Sequence, residues 1–155
     1  MTTYTSTVYS NLPVKQVHKG IQSISGQFVG TSAQTAGDIV FLAKLPHGAI
    51  IEEFIVDHSS GTSTFACDYG LASGLKAGGG AQMSIFASAL AVGNIVRKNL
   101  RNLAGTDMVQ ISCSVSDPGR FGVFAAKIGT GGGSATSAPI INFSITYRCD
   151  ERQGL

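Results

Sequence analysis

The chain has 155 residues, 11 basic against 9 acidic, and only 13% of them are charged, against a usual ~25%. That near-neutral balance argues against a nucleic-acid binder, which needs a clustered basic footprint, and against a coiled coil, which needs Glu and Lys in bulk. A hydrophobic share of 43% is too high for a disordered chain and is enough for one domain to fold without a disulfide or metal; Gly, Ser and Thr, nearly a third of the residues, point to a β-rich fold.

Residues 1–19 read as an extended arm. Thr2, Thr3, Thr5, Ser6 and Thr7 alternate loosely with Tyr4, Val8 and Tyr9, and Pro13 ends the pattern. The arm has too few apolar residues for a core of its own. Its Thr, Tyr and Val content favours extended structure, and Tyr4, Val8 and Tyr9 are large enough to anchor on a partner. It is therefore expected to order only against another subunit. On that reading, deleting residues 1–12 weakens assembly and leaves the melting of the β-core largely intact.

The body spans residues 20–150, with a short tail at 151–155. Residues 21–29 read as a strand with imperfect alternation, and Asp38 to Ala43 as a short apolar strand. Leu45-Pro46-His47-Gly48 has turn chemistry. Ala49 to His58 is the strongest strand signal. Ser59-Ser60-Gly61 makes a turn, and Thr62 to Leu71 alternates Phe65, Cys67 and Tyr69 with polar or small residues, as a half-buried strand does.

Residues 72–82 read as a loop. Ile85, Ala89, Val92, Val96, Leu100 and Leu103 recur at helical spacing, which predicts a short helix or irregular crossing near 84–91, then a strand near 94–99. Met108 to Val115 alternates, Asp117-Pro118-Gly119 turns, and Arg120 to Ile128 is a strand. Residues 129–137 form a glycine-rich loop, expected to be replaceable by a short turn. Pro139 to Tyr147 closes the domain. About eight strands with turns between them predict an all-β fold, an antiparallel β-sandwich or jelly roll, with an extended N-terminal arm.

Little in the sequence suggests chemistry. The start lacks a basic-then-apolar leader, and no apolar stretch reaches the ~20 residues of a membrane span. Cys67, Cys113 and Cys149 are widely spaced, so they read as buried free thiols in a reducing compartment. His18, His47 and His58 share no metal-ligand or protease spacing. Glu52 and Glu53 are adjacent on a strand and are expected on opposite faces. Asp57 and Asp68 are placed to approach across a hairpin as a solvated pair. Gly78-Gly79-Gly80 and the Gly129–Ser134 run lack the context of a phosphate loop, and G-x-S-x-G is absent. No catalytic residue, metal or cofactor is expected.

The stretch from Gly37-Asp38 through Leu45-Pro46-His47-Gly48-Ala49, followed by Thr64-Phe65-Ala66-Cys67-Asp68-Tyr69-Gly70, resembles small virion structural proteins of tailed bacteriophages. Those proteins carry a Gly-Asp, an apolar run and Leu-Pro-x-Gly-Ala, then a strand ending in Asp-x-Gly and a closing apolar strand. The resemblance implies a capsid decoration (cement) or head-associated protein. Its implied partners are the major capsid protein and further copies of itself, as a trimer, with no nucleic acid and no membrane. Its implied location is the capsid surface, after synthesis in the bacterial cytoplasm. Two other readings stay open: a tail or fibre-tip module that binds a receptor carbohydrate, and a cellular lectin-like sandwich.

Overall fold

The structure, a computed structural model, describes residues 2–10, 20–30, 35–60, 66–73, 82–91, 94–99, 121–129 and 140–149. Among them are nine strands and no helix: β1 (Thr3–Thr5), β2 (Ile21–Val29), β3 (Ile39–Pro46), β4 (Ala49–Ser60), β5 (Ala66–Ser73), β6 (Gln82–Ala91), β7 (Ile95–Asn99), β8 (Phe121–Ile128) and β9 (Ile140–Cys149). They form two sheets, β1-β3-β8-β5-β6 and β2-β9-β4-β7. All pairings are antiparallel except β1 with β3. The all-β sandwich expected from the sequence is the observed fold.

Alternation explains the layering. In β9, Ile141, Phe143, Ile145 and Tyr147 are buried, while Asn142, Ser144, Thr146 and Arg148 face outward. In β4, Ile51, Phe54, Val56 and His58 point into the core. Val40 and Leu42 of β3 and Phe124, Ala126 and Ile128 of β8 meet them from the other sheet. A run of rings crosses the interior: Phe54 to Phe86 at 5.0 Å, Phe86 to Phe124 at 5.7 Å and Phe124 to Phe143 at 5.8 Å between centroids. The last two are edge-on, the favoured geometry for buried rings.

The Gly-Asp and Leu-Pro-x-Gly-Ala residues do backbone work. Gly37 takes φ +92° as the chain enters β3, and its N–H donates to the Ile128 carbonyl at 2.8 Å. Gly48 takes φ +82° in the two-residue step from β3 to β4. Pro46 is not in the turn: it ends β3, opposite Phe121.

Two expectations are corrected. Residues 84–91 are strand, not helix. β6 is heavily bulged against β5, with Cys67 opposite Leu90, Tyr69 opposite Ala87, and Leu71 opposite Gln82. The extra β6 residues destroy the two-residue alternation, so the buried Phe86 and Leu90 fall at a helix-like spacing. Ala89 takes a left-handed φ of 51°, and the Asp68 carboxylate caps the bulge by accepting the Ala89 N–H at 2.8 Å. Asp68 is thus engaged by β6. Glu52 and Glu53, too, do not divide simply between faces. A register shift between Ile51 and Glu53 inserts Glu52 as an extra residue. Both carboxylates then reach arginines of the outer face, Glu52 to Arg148 at 2.8 Å and Glu53 to Arg97 at 2.7 Å. The strand expected at 108–115, the start of that expected at 62–71, the loops at 74–80 and 130–137, and the tail 151–155 lie outside the described residues.

His58 gives the fold a pH dependence. Burial pushes its imidazole pKa below the usual value, outweighing the Leu90 main chain and the Asp57 carboxylate, which pull the other way. The unfolded chain then binds the proton more readily than the folded one. Stability from this group is fully present above about pH 6.5, the unfolded value, and is lost as pH falls toward the folded one. Thermal melts between pH 7 and pH 5 should show a declining Tm, and His58→Gln should flatten that slope.

Candidate interaction surfaces

The N-terminal segment is built onto its own body. β1 lies parallel to β3, with Thr3, Tyr4 and Thr5 opposite Ile39, Val40 and Phe41. The Ile39 N–H donates to the Thr2 carbonyl at 3.0 Å and the Ser6 N–H to the Phe41 carbonyl at 2.9 Å. The buried Ser6 hydroxyl donates to the Leu42 carbonyl. One residue on, the segment crosses to the other sheet: the Thr7 N–H and hydroxyl both donate to the Gln27 carbonyl of β2, at 3.2 and 3.1 Å. Residues 2–9 are therefore a strap across the seam between the two sheets.

Its three large side chains, expected to meet a partner, are placed as follows. Tyr4 is half-buried against Phe28, with ring centroids 6.3 Å apart. Val8 packs on the core beside Gly26 and Phe143. Tyr9 lies on the outer side of the five-stranded sheet, 5.3 Å from the Phe41 ring. The Lys44 ammonium sits between rings, 4.8 Å from the centroid of Tyr9 and 4.9 Å from that of Phe121, a cation–π arrangement. Burial raises the Tyr9 pKa. For residues 2–9 the structure shows packing on the chain's own body in place of a second subunit; residues 11–19 of the expected arm lie outside the described residues. The seam supplies the apolar surface and main-chain partners that the segment lacks by itself.

Asp38 holds the strap's start, a role invisible in the sequence. Its carboxylate is buried; Oδ1 accepts the Thr2 N–H at 2.6 Å, and Oδ2 accepts the Thr35 N–H at 3.0 Å and hydroxyl at 3.2 Å. The Thr35 and Thr2 N–H groups hold its pKa below the usual carboxylate value, against the effect of burial. Because the folded pKa is depressed, this stabilisation is present above the unfolded carboxyl value near ~3.9 and is lost as pH falls through the folded one. Asp38→Asn should loosen residues 2–6 at neutral pH. Faster amide exchange at Ile39 and Ser6, with Phe124 still protected, is the expected result.

The two outer faces differ. On the five-stranded sheet, the outward Val123 and Ala125 of β8 are already buried. The outer face of the four-stranded sheet is open and polar. Ser23 and Ser25 hydrogen-bond to Ser144 across strands at 3.1 and 2.9 Å, and Gln27 Nε2 donates to Asn142 Oδ1 at 2.8 Å. Ile21, Val29 and Ile95, the exposed large hydrophobic residues among those described, all project from this face.

Among the described residues no three His, Cys, Asp or Glu side chains come together as a metal site, and no helix is long and apolar enough to cross a membrane. Burial pushes the Cys67 thiol up to about 12, which keeps it protonated and unreactive at neutral pH.

No family model matches the chain, and no curated protein matches it. Solved structures do. A chain of the capsid of Ralstonia phage GP4 aligns with a TM-score of 0.67 over 96% of this chain and 98% of its own, at 18% identity. A chain of the cyanophage Pam1 capsid asymmetric unit aligns with a TM-score of 0.59 over 93% of this chain and 95% of its own, at 13% identity. At these identities the likeness is one of fold.

Proposed function

We propose that this chain is a structural protein of a phage virion, a capsid decoration (cement) protein that binds and stabilises the major capsid shell as a trimer. The observation that carries this reading is the end-to-end match of its sandwich to a chain of the GP4 phage capsid. The chemistry of the side chains supplies the second support. A shell-binding protein works by area and shape and needs no reactive group, and the described thiol Cys67 is sealed in the core. The low charge suits lasting contacts. Such a protein is made in the host cytoplasm and resides on the capsid surface. Of the strap residues, Tyr9 faces outward beside Lys44 and is the one we place against a partner; Tyr4 and Val8 hold the strap that presents it.

The test is co-sedimentation of the purified chain with shells of the phage that encodes it, stripped of this protein. Saturable pelleting with the shells is expected, along with a higher shell melting temperature. A chain that stays in the supernatant at every concentration overturns the reading.

A further inference from the structure

We propose that the outer face of the four-stranded sheet is the surface through which copies of this chain bind one another, three such faces enclosing the axis of the oligomer. The trimer number rests on the reading above; the assignment of the face does not.

The first argument is where the apolar surface lies. Ile21, Val29 and Ile95 are 57%, 54% and 67% exposed. Scattered singly they would be unremarkable, but all three rise from one face, near its edges. A second argument is charge. The centre of the face is hydroxyl and amide, and its arginines are neutralised locally, Arg97 by Glu53 and Arg148 by Glu52, which leaves Asp57, beside Ile95 and Asn142, as the one carboxylate of the face outside those pairs among the described residues. A foreign partner selected by charge would want a cluster of one sign here, not a single carboxylate. An identical copy does not, because Ser, Thr, Asn and Gln both donate and accept, so the face is complementary to itself. Among the described residues it bears no aromatic ring of the kind that stacks on a sugar. Depletion of net charge at the core of a contact is the usual signature of protein–protein interfaces.

Size agrees. Four strands at ~4.8 Å spacing and a nine-residue β2 at ~3.4 Å per residue give a flat patch of roughly 15 by 30 Å. That footprint is roughly 450 Å² before side-chain relief is counted, of the same order as the ~800 Å² per partner of a stable interface. The opposite sheet offers no equivalent, since Val123 and Ala125 on its outer side are already covered within the chain.

Sedimentation velocity on the purified chain, without shells, tests the inference. Ser25→Lys puts like charges mid-way along the β2 edge of the contact, and Ile95→Asp puts one at its β7 edge. Both sites are exposed, and the folding of each variant is checked by circular dichroism. The wild type should sediment as an oligomer, and each variant should shift to monomer with Kd raised at least ~100-fold. Lys127→Asp, on the other outer face, should leave the oligomer intact. A monomeric wild type, or an oligomer that survives both Ser25→Lys and Ile95→Asp, overturns the proposal. Failure to bind shells would leave this result untouched, so the two readings fail separately.

Discussion

Phe124→Ala is expected to destabilise the fold by about 3–5 kcal/mol, the range for emptying a buried aromatic site. Phe124 is fully buried on β8 and meets Phe86 of β6 and Phe143 of β9 edge-on, so one ring touches both sheets. Two edge contacts are lost with it, each worth ~0.5–1.5 kcal/mol beyond area burial. Its flanks are stiff strands, so the cavity collapses poorly. Against a total stability of ~5–15 kcal/mol this is a large fraction. Urea unfolding should show a lower midpoint with an unchanged slope, the mark of a stability change without a change in the denatured state. A loss under ~1 kcal/mol would show that the two layers do not share one core.

The parts of this fold that were legible are those where alternation survives. β9 keeps a strict two-residue period from Ile141 to Tyr147, so its inner face can be read off directly. β4 is legible through its β-branched content, although its bulge at Glu52 misassigns one carboxylate. β6 is misread because Ile85 and Ala89 open a run at helical spacing, whereas the bulged strand buries their neighbours Phe86 and Leu90, and nothing local marks Asp68 as the cap of the bulge. The candidate surfaces were less legible. Tyr4, Val8 and Tyr9 stand out as anchors by size and by their polar setting, but what they anchor to is a tertiary fact. The acceptor site needs Gly26 and Phe28 from β2, Phe41 from β3 and Phe143 from β9, which are far apart in sequence. Asp38 looks like a turn aspartate until Thr2 is brought to it. The polar outer face is a property of register: Ser23, Ser25 and Ser144 become one surface only when β2 pairs with β9.

The strap gives the other large effect. Deleting residues 1–10 should lower stability by roughly 2–4 kcal/mol, with Tm falling on the order of 5–15 °C. This contradicts the expectation that the β-core melts largely unchanged without the arm. Tyr4 and Val8 pack against the core from the strap side, and their half-burial contributes a few kcal/mol at ~25 cal/mol per Å². The decisive part is on the body side. Without the strap, Phe28 and Phe143 face water at the seam, and the main chain of β3 loses its parallel partner. A point substitution separates this mechanism from a general effect of truncation. At Gly26 an added Cβ would lie 2.6 Å from Val8 Cγ2 and 2.9 Å from Phe143 Cζ. Gly26→Val must therefore push Val8 out of its seat and lift the strap. It should reproduce most of the loss seen on deletion and speed amide exchange at Ile39 and Ser6. Combined with the deletion, the same substitution no longer meets Val8, so the two losses should fall short of additive by ~1 kcal/mol or more. Full additivity would mean that Gly26 and the strap stabilise the sandwich independently, and that the seam closes without residues 2–9.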